Sequence, residues 1–105
     1  MKAITFINEG IYRKVGIMGH CQKAVQSFID ANQFQTIKLN PYQLHFHYTI
    51  PHALLFDLQQ AKANFDYLVM YSNNDMQEFI YMYPAKWLIL KSYFSKVIFV
   101  EEMVH

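Results

Sequence analysis

Cysteine is almost missing from this chain: Cys21 is the single one in 105 residues. One thiol excludes an intramolecular disulfide and any multi-cysteine metal centre. Glycine is equally sparse, and Gly10, Gly16 and Gly19 do not fall at the G-x-G-x-x-G spacing of a dinucleotide-binding loop. Charged residues make up 16% of the chain and nearly cancel, leaving a net charge of +1, so the overall balance calls for neither nucleic acid, an anionic membrane nor an acidic partner. No apolar run reaches the ~18 residues of a membrane span. The start, Met1 to Ile7, also lacks the long apolar core of a signal peptide. A cytoplasmic protein is the expectation. Repeats, low-complexity stretches and internal linkers are missing as well.

What is present is apolar mass. Hydrophobic residues supply 53% and aromatics 17% of the chain, enough for a folded core, and the length fits one domain over residues 1–105. Ile4, Phe6 and Ile7 mark a first buried strand over residues 2–8, followed by a loop over 9–16. Ile17, Cys21, Ala24, Val25, Phe28 and Ile29 recur at helical spacing, so residues 17–33 are expected to form an amphipathic helix. Residues 34–39 read as a second strand, ended by Asn40 and Pro41, and residues 42–50 as extended chain. Pro51 opens the next helix, Asn64 is a candidate cap after it, and residues 65–71 give the third strand. Residues 76–94 form a helix that Pro84 must kink or divide, and residues 97–100 close as a fourth strand. Strand and helix alternate throughout, which predicts a three-layer α/β domain with a small, mostly parallel, four-stranded sheet. Ile4, Phe6, Leu68, Val69, Ile98 and Val100 are the expected sheet core.

In such sheets, ligands and catalytic groups gather at the carboxyl ends of the strands. Here the turn Ser72 to Met76 holds no Arg, Lys or His, and the first strand runs into Glu9 and Gly10. The start Met1 to Ile7, the pair Ile50-Pro51 followed by a helix, the Phe65-Asp66 entry to a hydrophobic strand, and the stretch Ser95 to Glu101 together resemble the catalytic domain of the serine recombinases, the resolvase and invertase family. That resemblance covers nearly the whole chain and implies a resolvase-like fold. It also exposes departures. The family's Tyr-x-Arg-x-Ser motif, with its clamping Arg and nucleophilic Ser, falls with Arg and Ser at Asn8 and Gly10. Its Asp-Arg-Leu-x-Arg falls at Asn74 to Glu78, and the Arg of its Arg-Pro at Ile50. Phosphoryl transfer needs a nucleophile and fixed positive donors, and one lost donor costs ~100-fold or more. With Asp75 and Glu78 expected to repel a phosphate, the resemblance implies a catalytically inactive domain. The family's long dimerisation helix and C-terminal DNA-binding domain have no counterpart in this sequence.

Other residues carry weaker chemical readings. His45 and His47 lie two apart, so on a strand they share a face, and a metal site there needs a third ligand such as His20, His52 or Asp57. Two histidines without one are more often ordinary polar groups, and no metal or cofactor is assigned. Cys21 reads as a small core residue, and Ser72 as a turn former. Ser27 and Ser92 lack a His and acid constellation. Arg13 and Lys14 are the one adjacent basic pair, read as solvated loop residues. The segment from Phe79 to Leu90 is apolar around much of its circumference, which makes Phe79, Tyr83, Trp87 and Leu90 candidate interface residues, with a packed helix as the equal alternative.

The leading functional expectation is a non-catalytic, recombinase-like interaction or regulatory module that oligomerises or binds another protein; a phage or mobile-element setting is implied by the resemblance alone. One alternative is a nucleic-acid-binding protein using Arg13, Lys14, Lys38, Tyr42 and Tyr48. Another is a small enzyme of unrelated chemistry built on His45, His47 or Asp75.

Overall fold

The computed structural model describes residues 1–103; Val104 and His105, which the expected domain includes, lie outside the described residues. The elements are β1 (Lys2–Phe6), α1 (Glu9–Lys14), α2 (Met18–Ala31), β2 (Gln35–Thr36), α3 (Pro51–Ala61), β3 (Phe65–Met70), a 3₁₀ turn (Asn73–Asp75), α4 (Gln77–Met82), α5 (Pro84–Lys91), β4 (Phe94–Phe99) and α6 (Val100–Met103). The four strands form one sheet in the order β2-β1-β3-β4, and every pair is parallel.

Helices cover both faces of that sheet, which is why its central strands read as unbroken apolar runs. On one face Ile4, Phe6, Leu68 and Met70 pack with Leu54, Leu58, Phe79 and Leu90 from α3, α4 and α5. On the other, Ala3, Val69 and Ile98 pack with Tyr12, Cys21, Val25, Ile29 and Val100 from α1, α2 and α6. The six expected core residues are all buried. Val100, though, opens α6 instead of ending the last strand, and β4 begins earlier than its expected start, at Phe94.

Three local departures matter for the site. Residues 9–14 form a short helix where a loop is expected, because the Asn8 side chain accepts from Ile11 N and Tyr12 buries one face; Gly16, at a φ of 75°, follows. The second strand is only two residues long. The upper half of the β1 edge is covered instead by Tyr48, whose N–H donates to Thr5 O and whose carbonyl accepts from Ile7 N, both at 2.8 Å. Residues 42–50 are therefore irregular chain pinned at one point, not a continuous extended segment. Finally, α3 ends on Lys62, left-handed at φ 52°, so this residue and not Asn64 is the cap. Pro84 does divide its helix, sitting at the first turn of α5.

Candidate functional site

The carboxyl ends of β1 and β3 lie side by side and are tied together by one carboxylate. Asp75 is 1% exposed. Its Oδ1 accepts from Asn8 N at 2.7 Å, and its Oδ2 accepts from the Tyr12 hydroxyl at 2.8 Å and from Ser72 N at 2.9 Å. Asn8 closes the link by donating from its side-chain amide to the Asp75 carbonyl at 3.3 Å. Since the single Tyr12 proton goes to Asp75, the Ser72 hydroxyl, 2.9 Å from the Tyr12 oxygen, is the donor in that pair. Ser72 Oγ in turn accepts from Asn74 N, so Ser72 and Asp75 form a reciprocal capping box around the 3₁₀ turn. Burial pushes the Asp75 carboxyl above the usual carboxylate range, while the donors from Ser72, Asn8 and Tyr12 pull it back. The Tyr12 hydroxyl is pushed upward too, chiefly by burial.

This network corrects the expectation that Asp75 faces a substrate phosphate. The carboxylate points inward and is spent on holding two strand ends together. Glu78, at the start of α4, is exposed. Asn8 is the cap of α1 and Gly10 lies inside it, and neither side chain supplies a cation or a nucleophile.

A second polar cluster stands beside the first. His47 Nε2 lies 3.0 Å from Glu9 Oε1, and His45 Nε2 lies 3.9 Å from the same atom. The two imidazoles stack with centroids 4.9 Å apart, brought together by the bends of residues 44–47 and not by the shared face of a strand. Arg13, one helical turn beyond Glu9, bonds its Oε2 at 3.2 Å. The hydrogen bond from His47 holds the Glu9 carboxyl below its usual range against a smaller opposing effect of burial, with Arg13 helping. None of His20, His52 and Asp57 joins this group as a third ligand, and among the described residues no set of three His, Cys, Asp or Glu side chains is arranged to hold a metal ion.

The proposed nucleic-acid contacts do not survive intact. Tyr48 is 3% exposed and donates its hydroxyl to Asp57 at 2.7 Å, which removes it as a stacking platform. Tyr42 is exposed, Lys38 sits over the Phe46 ring at 5.6 Å, and Arg13 and Lys14 form the last turn of α1 and not a loop.

The candidate interface divides in two. Phe79 and Leu90 are core residues, at 5% and 0% exposure, so they offer no surface. Trp87 is half-buried against that core, and Tyr83 is partly open. The apolar surface of this region belongs instead to Tyr81, Met82, Leu88 and Ile89, all exposed. Sequence reasoning missed them because a helix that is apolar all round gives no sign of which side meets the sheet. Cys21 is fully buried, as expected, and burial pushes its thiol up to about 11.

The fold and this arrangement define a parallel α/β domain whose strand ends are closed by a self-satisfied network. Comparison with protein-family models, with curated proteins and with solved structures finds no match to the chain. No helix among the described residues is long and apolar enough to cross a membrane.

Proposed function

We propose that this chain is a non-catalytic interaction module that self-associates through the outer face of α4 and α5, a degenerate serine-recombinase-like domain acting as a regulator in the cytoplasm. A phage or mobile element is the setting that the resemblance implies. The observation that carries the reading is the exposure of Tyr81, Met82, Leu88 and Ile89 on two consecutive helices. Apolar side chains gathered on a soluble surface mark interaction sites, and Tyr and Met are favoured there. The closed Asn8, Tyr12, Ser72 and Asp75 network supports the non-catalytic half, since its one carboxylate and two hydroxyls are engaged with one another. The nucleic-acid alternative is weakened by the burial of Tyr48.

Sedimentation equilibrium tests the association. The wild-type chain is expected to form a defined oligomer, and Leu88→Lys with Ile89→Lys is expected to yield a monomer with unchanged circular dichroism. A wild type that stays monomeric at all accessible concentrations overturns the reading. For the chemistry, incubation with supercoiled DNA followed by denaturing electrophoresis is expected to show no covalent protein–DNA adduct; a serine-linked adduct overturns it.

A further inference from the structure

The sheet order β2-β1-β3-β4 sends the chain from β1 to opposite sides, so the gap between the ends of β1 and β3 is the switch point of the fold. Clefts at such points are the usual ligand sites of open parallel sheets. A cleft of 280 Å³ opens there, walled by Asn8, His52, Phe79, Met82 and Tyr83, with Glu78 among its lining residues and Asp75 behind them. We propose that this cleft binds the guanidinium group of an arginine residue belonging to another polypeptide.

Charge is the first argument. Glu78 places an exposed carboxylate at the cleft, while Asp75 behind it is buried and engaged by two backbone N–H groups and one phenol. Among the described residues neither carboxylate is ion-paired with a lysine, arginine or histidine, whereas Glu9 has three such neighbours. A cation entering the cleft meets the Glu78 charge, which the fold leaves without an ion-pair partner.

Shape selects the kind of cation. The His52 ring stands edge-on to both Phe79 and Tyr83, at 5.1 and 4.8 Å, which fixes three rings around the cleft. Aromatic faces attract cations, and the Tyr83 ring already does so, with the Lys86 ammonium 5.1 Å from its centroid. A guanidinium is planar, weakly hydrated and suited both to stacking and to a forked bond with a carboxylate; an ammonium is a hydrated point charge. The chain's own sole arginine, Arg13, is paired with Glu9, so the group comes from a different molecule. Met82 and Tyr83 continue from the cleft onto α4 and its junction with α5, next to the apolar residues that a polypeptide could cover and a free small cation could not.

The test is an NMR titration of the whole chain with N-acetyl-arginine N-methylamide, its isosteric and neutral citrulline counterpart, and free arginine. Saturable shifts are expected at the amides of Asn8, His52, Glu78 and Tyr83, with citrulline about tenfold weaker and Glu78→Gln weakening the arginine probe by about as much at unchanged fold. Tyr83→Leu, which keeps the carboxylate, is also expected to weaken it. Equal binding of citrulline, unsaturable shifts, or indifference to Glu78→Gln overturns the inference. Free arginine binding as tightly as the capped form overturns its polypeptide part. Because Met82 belongs to both surfaces, the titration is also run on the Leu88→Lys, Ile89→Lys chain: a monomeric wild type that binds the probe sinks only the oligomer reading, and a monomeric variant that ignores the probe sinks only this one.

Discussion

Tyr12 ties α1 to the turn after β3, and its hydroxyl illustrates how much a single buried oxygen decides. It gives its proton to Asp75 and takes one from Ser72, so removing it leaves both partners short of a contact in a place without water access. Buried groups left unsatisfied cost more than the average hydrogen bond gains. Tyr12→Phe is therefore expected to lower stability by about 1–3 kcal/mol, measured by urea unfolding. Little of this was legible in the sequence. Tyr12 and Asp75 are 63 positions apart, and no periodicity or motif links a tyrosine in a six-residue helix to an aspartate in a turn. The same holds for Glu9 and His47, 38 positions apart, and His45 stacks on His47 along bent chain, where the two-residue period of a strand does not apply. Spacing reports neighbours on one element; it is silent on what the fold brings from elsewhere.

Elements were legible in proportion to their apolar content. The long strands β1, β3 and β4 and the helix α2 follow from runs and from the Cys21, Val25 and Ile29 stripe, because burial on a fixed geometry leaves a periodic mark. Helix α1 buries only Tyr12 and carries Gly10, so its mark is too faint. At β2 the residues look strand-like for longer than the chain stays paired, since Tyr48 takes over the edge of β1. Element ends depend on single backbone conformations that side-chain type reports weakly. Lys62 ends α3 in the left-handed region, where a Cβ is unfavourable and glycine is not. Lys62→Gly should accordingly raise stability by about 0.5–1 kcal/mol, read as a higher urea midpoint at an unchanged slope.

For the whole molecule, the burial of acidic hydrogens sets the response to alkali. The Cys21 thiol rises from its ordinary value of 9.0 to about 11, and Tyr12 and Tyr48 rise from 10.0, each mainly through burial. In the unfolded chain these groups lose their protons first, so above pH 9 the folded state binds more protons than the unfolded one and stability must fall as pH rises. The contribution of Cys21 is intact below about pH 9 and is lost on the way to about 11. Cys21→Ala is expected to flatten the decline between pH 9 and 10, the interval before tyrosine ionisation dominates, in urea titrations at stepped pH. On the acid side two carboxylates oppose each other. Glu9, held low, favours the fold above its ordinary range, whereas Asp75, raised by burial, favours it below.

The parallel pairing of β1 with β3 also sets an order in time. Residues Ala3 to Phe6 find their neighbours at Tyr67 to Met70, and β3 in turn waits for Phe94 to Phe99. Only two residues of β2 and the single bridge at Tyr48 are available to β1 sooner. A chain emerging from the ribosome thus carries its first strand, open on one edge, through the synthesis of about sixty further residues, because distant pairings repay the closure of a loop only once both strands exist. During that interval the nascent chain is a natural client for chaperones that hold extended apolar segments.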